Sequence, residues 1–163
     1  MILKKYYNIA MNDIQFLEKA LEQALESVAL GGFPAGAIVI QNGAIIGRGI
    51  SIGNKLNDPS AHGEMCSIRE ACGKLATSDL LGCTLYASMQ PCVMCLGACA
   101  YSGISKIVYA CAKEKVSDEY YGGHYNLQSI NTDLSHPIEL VHIEELEEES
   151  LEIVKGWEKS LKI

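Results

Sequence analysis

The chain alternates between two hydrophobic periods. Residues 12–30, "NDIQFLEKALEQALESVAL", set Ile14, Leu17, Leu21, Leu25 and Val28 at helical spacing, and Gly31-Gly32 closes the run. Residues 35–52, "AGAIVIQNGAIIGRGISI", are two β-rich runs around Asn42-Gly43, a dipeptide suited to a tight hairpin. Residues 62–76 read as a helix, and "GCTLYAS" (82–88) as a short buried strand. Pro91 precedes a small-residue-rich helix, "CVMCLGACAYSG" (92–103), ended by Gly103. "SKIVYAC" (105–111) is a further buried strand, and "IELVHI" (138–143) a fifth. Between them, residues 113–136 carry no period and are rich in Tyr, Gly and Asn, as a lid or an interface would be. Residues 144–162 predict an acidic amphipathic helix with Leu146, Leu151, Val154, Trp157 and Leu161 on its apolar side; the acidic remainder reads as a solvated face. A hairpin followed by strands alternating with helices predicts an α/β fold. It would have three α/β/α layers around a central five-stranded mixed sheet, in one domain spanning residues 1–163.

Composition narrows the class. The 163 residues are 48% hydrophobic and 20% charged, and no apolar run approaches the ~20 residues of a membrane span. The opening "MILKKYYNIAMND" has neither a long apolar stretch nor a small-residue cleavage site, so no secretory signal is read there. Seven cysteines, an odd number, then favour reduced thiols in the cytoplasm, with a metal, over a disulfide framework. The formal charge is −7, much of it from "EELEEES" (144–150). No basic face is apparent, which argues against a large nucleic-acid partner.

Two short stretches carry candidate chemistry. "NDPSAHGEMCSI" (57–68) places His62 and Glu64 two positions apart at a helix start. A local reading makes Ser60 the cap and Glu64 a carboxylate favoured by the helix dipole. "QPCVMCLGAC" (90–99) places Cys92 and Cys95 one turn apart, so both can reach one ion, and the first turn stabilises the thiolate that binds metal. Alone, this pair could be a redox dithiol, a structural zinc site or small core residues. No thioredoxin-like order of elements surrounds it. A closed structural site would need a fourth ligand, and Cys99, Cys66 or His124 would have to supply it. Cys66, Cys72, Cys83 and Cys111 otherwise read as small core residues. Joining the two stretches gives His62, Cys92 and Cys95 as three zinc ligands with one position left for water, and Glu64 beside them as a proton shuttle.

His-x-Glu followed by Pro-Cys-x-x-Cys is recognised as the signature of zinc-dependent nucleobase deaminases. The chain resembles the cytidine deaminase-like superfamily, in the branch of yeast-type cytosine deaminases, bacterial guanine deaminases and tRNA adenosine deaminases. "GAIVIQNGAIIGRG", "NDPSAHGE" and "LYASMQPCVMCLGACAYSGISKIVYAC" carry the likeness, over residues 14–111 and more loosely beyond. The resemblance implies zinc as cofactor on His62, Cys92 and Cys95, Glu64 as catalytic residue, loss of ammonia from an amidine-like ring carbon, and a homodimer.

The chain also departs from those relatives. They usually carry an Asn eleven residues before the metal His; here that position is Ser51, with Asn54 three residues later. Gly63 stands where many have Ala, and its missing Cβ would let backbone approach the substrate. Gln90 stands where Glu or Ser is common. Ser51, Asn54, Ala61, Gly63 and Gln90 are the candidate substrate contacts, with "DEYYGGHYNL" (118–127) as a lid over a flat base and His124 as a possible pocket residue. The expected function is hydrolytic deamination of a small free heterocyclic base, cytosine-like or guanine-like. A tRNA adenosine deaminase, a nucleoside or nucleotide deaminase, and a non-catalytic zinc scaffold are the alternatives.

Overall fold

The computed structural model describes the backbone of residues 2–161 and the side chains of residues 12–161. Helix α1 (Ile2–Ala29) leads into β1 (Phe33–Gln41) and β2 (Ala44–Ser51). Asn42 and Gly43 join these strands with φ of 50° and 77°, the left-handed pair that a two-residue hairpin turn requires. A single turn, α2 (Gly53–Leu56), precedes α3 (Gly63–Leu75). The chain continues through β3 (Thr84–Met89), α4 (Val93–Tyr101) and β4 (Lys106–Cys111), and finishes with α5 (Leu127–Thr132), β5 (Glu139–His142) and α6 (Glu147–Leu161).

The five strands lie in the order β2-β1-β3-β4-β5. The β1/β2 and β1/β3 pairs are antiparallel, while β3/β4 and β4/β5 are parallel, so the sheet is mixed as the chain pattern implied. Alternation along the strands divides the core. Ala37, Val39, Leu85, Ala87 and Ile107 face Ile68, Leu96 and Leu127, which come from α3, α4 and α5. Ile38, Ile40, Tyr86, Val108 and Ala110 face Leu17, Ala20 and Leu21 of α1. Ser150 of α6 donates to the Ser88 carbonyl on that second side, at 2.7 Å. Three layers result.

Two expectations need correction. The 113–136 stretch is not wholly irregular: Asn126 caps α5, its side chain accepting from the Ser129 amide at 2.8 Å. Helix α3 begins after His62, not Ser60. Ser60 instead donates to Asp58 at 2.7 Å and accepts from Arg69 at 2.9 Å, closing the turn ahead of the helix.

The parallel strands give the molecule two unlike ends. At the carboxyl end of β3, the start of β1, the end of β2 and the first turns of α3 and α4 all meet. That is where open α/β sheets place their sites.

Candidate active site

His62 and Cys92 are the N-cap residues of α3 and α4. Each sits where a helix leaves its first amides without intrahelical partners, and both positive helix ends converge on the same point. Cys95 follows one turn into α4 and is fully buried. The Cys92 and Cys95 sulfurs are 3.6 Å apart, and His62 Nδ1 lies 3.6 Å and 3.7 Å from them. Zinc bonds of about 2.3 Å to sulfur and 2.0–2.1 Å to nitrogen, at tetrahedral angles, would separate these atoms by about 3.5–3.8 Å. The three ligand atoms therefore stand where a zinc ion would hold them.

Electrostatics support that fit. The Cys95 thiol and then His62 hydrogen-bond to the Cys92 sulfur and bring its pKa down to about 4, so Cys92 is the thiolate of the pair. The hydrogen bond to Cys92 and burial push the Cys95 thiol up, so zinc binding there would release its proton. His62 is raised from its ordinary value, chiefly by the hydrogen bond to Cys92. Glu64, in the first turn of α3, is 6% exposed; burial, reinforced by the Cys92 anion, raises it to about 7. A carboxyl poised near neutrality suits proton transfer in both directions.

These groups open into a cleft of about 490 Å³. Ser51, Asn54 and Gln90 line it beside His62, Glu64 and Cys92. Ser27, at the end of α1, fixes its floor: the Ser27 hydroxyl donates to the carbonyls of Phe33 (2.6 Å) and Ser51 (3.0 Å) and accepts from the Ser51 amide. Asn54 donates to the Gly31 carbonyl at 2.8 Å. Glu119, Tyr120 and Tyr121 form the far wall, from the segment read as a lid. No lysine or arginine is among the described residues lining the cleft.

Other candidates fall elsewhere. Ala61 is 1% exposed and does not line the cleft. Gly63 abuts β1: an added Cβ would stand 2.9 Å from the Gly36 Cα and 3.1 Å from the Gly49 oxygen. Its lack of a side chain therefore serves the approach of helix to sheet. His124 is exposed and pairs with Asp118 at 2.6 Å, away from the cleft. Cys66 and Cys99 do not join the three-ligand group; Cys99 packs in the core beneath α3 and α4.

The sequence reading did not name Phe33 and Trp157 as cleft residues. Their rings meet edge to face at 5.1 Å, and each also contacts Tyr120. Trp157 was legible only as part of an apolar stripe on α6, the helix read as a solvated face. Nothing local marks which neighbour such a stripe meets. That this lone tryptophan stands on an otherwise acidic helix was the one available signal.

Comparison with known proteins agrees with this geometry. Residues 10–111 match the family described as the cytidine and deoxycytidylate deaminase zinc-binding region. The chain is 43% identical over 101 residues to the guanine deaminase of Bacillus subtilis, covering 61% of this chain and 65% of that protein. It is 40% identical over 100 residues to the tRNA-specific adenosine deaminase of Aquifex aeolicus, covering 61% and 66%. The matched segment thus spans just under two thirds of each relative. A protein solved in complex with 2,6-diaminopurine superimposes with a TM-score of 0.75 at 25% identity, over 87% of this chain and 79% of that one.

Proposed function

The chain belongs to the cytidine and deoxycytidylate deaminase zinc-binding family, and from that premise we propose that it is a zinc-dependent aminohydrolase acting on a small free nucleobase, cytosine-like or guanine-like. The observation that carries this reading is the composition of the cleft. Glu64 stands beside the His62, Cys92 and Cys95 group, the outer walls are aromatic, and the described lining has no cation to meet a phosphate. The likeness to a guanine deaminase and to a protein complexed with 2,6-diaminopurine supports the purine side of the proposal.

His62, Cys92 and Cys95 would hold the zinc, whose Lewis acidity would make water a nucleophile near neutral pH. The residues of the chain do the rest. Glu64 accepts a proton from the attacking water and passes it to the ring nitrogen next to the carbon under attack. The carboxylate then takes the remaining proton of the added hydroxyl and delivers it to the exocyclic nitrogen, the carbon–nitrogen bond breaks, and ammonia leaves a ring carbonyl behind. Ser51, Asn54 and Gln90 offer hydrogen-bonding groups to the base edge. Phe33, Tyr120 and Trp157 offer aromatic surface to a flat ring.

The second reading, tRNA adenosine deamination, is favoured by the Aquifex relative. The net charge of −7 and the absence of cations among the described lining residues count against it. Ammonia release should be assayed with guanine, cytosine, isocytosine and their nucleosides, alongside inosine formation in tRNA. Turnover of a free base, without salt-sensitive tRNA binding, supports the first reading. Inosine in tRNA with no free-base turnover would replace it by the second.

We also assign two copies to the working assembly, meeting across the apolar outer edge of α4, where Val93 is 43% and Tyr101 96% exposed. Sedimentation of wild type and Tyr101→Glu tests it: a dimer that the substitution dissociates is expected. Seven unpaired thiols support a reducing compartment, the cytoplasm.

A further inference from the structure

Lys113 follows β4 and is buried, in a chain whose charge is otherwise acidic. Its ammonium lies 5.4 Å from the Tyr121 ring centroid and 5.3 Å from that of Tyr125, within cation–π range of both. Asp118 neutralises it at 2.5 Å, and the other Asp118 oxygen holds His124 at 2.6 Å. Burying an ammonium is costly unless partners compensate for the lost water; here two rings and a carboxylate surround it. These partners, Asp118, Tyr121 and Tyr125, bracket the segment that supplies the far wall of the cleft, Glu119, Tyr120 and Tyr121.

The same node reaches the metal helix. The Lys113 amide donates to Gln90 Oε1 at 2.9 Å, and the Tyr121 hydroxyl donates to the Gln90 carbonyl at 2.8 Å. The Val93 amide, next to Cys92, donates to the Tyr125 hydroxyl oxygen at 3.0 Å. From its outer side, Tyr120 donates to Glu158 of α6 at 2.6 Å and packs on Trp157. The wall is therefore held at two points. Both latches are part-buried, and the Lys113 ammonium is their most enclosed member.

We propose that Lys113 is a positioning residue: its ammonium, boxed by Tyr121 and Tyr125 and paired with Asp118, clamps residues 118–125 against the metal helix so that Glu119 and Tyr120 stand as the wall of the substrate cleft. The inference rests on the reading of this cleft as the substrate site. The clamp acts on the substrate through the wall and touches neither the base nor the ligand atoms. Loosening it widens the cleft and weakens binding, while the proton path through Glu64 stays intact.

The test uses the zinc-loaded full chain, with Lys113→Met, Asp118→Asn and the charge-preserving Asp118→Glu. Asp118 is half-exposed, so Asp118→Asn folds even where Lys113→Met does not. Trp157 is the only tryptophan and lines the cleft against Tyr120, so its quenching by acrylamide reports the wall without any substrate. Asp118→Asn and Lys113→Met should raise the quenching constant about two-fold, with zinc content and melting temperature of Asp118→Asn near wild type, and Asp118→Glu should restore it. With guanine as probe, KM should rise at least about five-fold while kcat changes less than about two-fold. Wild-type quenching and KM in Asp118→Asn would overturn the clamp, as would loss of zinc and kcat with quenching unchanged. If the wild type turns over no free base, the proposed function fails, and the quenching arm still decides the clamp.

Discussion

Gly49 of β2 and Gly63 of α3 meet backbone to backbone: a Cβ at Gly49 would stand 1.9 Å from the Gly63 carbonyl oxygen and 2.5 Å from the Ser67 amide nitrogen. The contact sets how far the helix bearing His62 and Glu64 stands from the sheet. Neither partner is a flexible side chain, so the crowding cannot be relieved locally.

Gly49→Ala should therefore push α3 off β2. Overpacking of this kind costs about 1–3 kcal/mol, and urea unfolding should show it as a lowered midpoint. Because the shift moves the helix that carries His62 and Glu64, activity should fall further than stability does. An unchanged midpoint with full activity would mean that the close approach is not needed.

Glu64→Gln keeps the shape of the side chain and removes its proton transfer. Turnover should drop by about a hundred- to ten-thousand-fold, while metal analysis still finds one zinc per chain. Retained turnover would remove Glu64 from the proposed mechanism.

Cys92→Ala and Cys95→Ala should each lose zinc and melt at lower temperature, because the site ties α3 to α4. Cys99→Ala should keep the metal, since Cys99 lies in the core outside the ligand group. Acid should strip zinc from the wild type. The hydrogen bond to Cys92 raises His62 above its ordinary pKa, so protons compete for the imidazole at a higher pH than for a free histidine. Zinc affinity should fall as the pH drops through the His62 pKa. Inductively coupled plasma analysis after dialysis across a pH series measures this. Zinc retained in Cys95→Ala would refute the ligand set.

Trp157 should report ligand. Titration with 2,6-diaminopurine should change its emission saturably, because the indole lines the cleft beside Phe33 and Tyr120. Trp157→Leu should raise KM more than it lowers kcat, since the ring offers surface to the bound base and no proton. Emission unaltered at saturating purine would separate the aromatic wall from the substrate site.

How much was legible depended on range. Asn42-Gly43 announced the hairpin because a two-residue turn needs positive φ and few residues accept it. Strand and helix periods gave all five strands and both metal helices to within a few residues, because burial repeats at those periods. Short α5 was not read, since six residues are too few to show a period and its cap at Asn126 looks like any loop polar residue. Cleft residues divided the same way: Ser51, Asn54 and Gln90 were foreseen because the family resemblance marks those positions around the motifs, whereas Phe33 and Trp157 lie 29 and 95 residues from His62 by the numbering and carry no motif.

The sequence by itself determined the chemistry that local spacing can encode. His62 with Glu64, and Cys92 with Cys95, are close enough in the chain that helix geometry alone fixes each pair. Joining the pairs required the sheet, whose strand order brings the starts of α3 and α4 to one end of β3. The cleft wall was legible only in part: residues 118–127 read as a lid, but which of them line the cleft, and that Trp157 joins them, was decided by tertiary structure. Lys113, Glu119, Tyr120 and Trp157 lie beyond residue 111, where the family match stops, and they meet through side-chain packing that no chain period records. The partners of the Lys113 ammonium all lie within residues 113–125, but that stretch is set against the cleft by Gln90, Val93 and Glu158, and where those distant segments come to rest is a property of the fold as a whole.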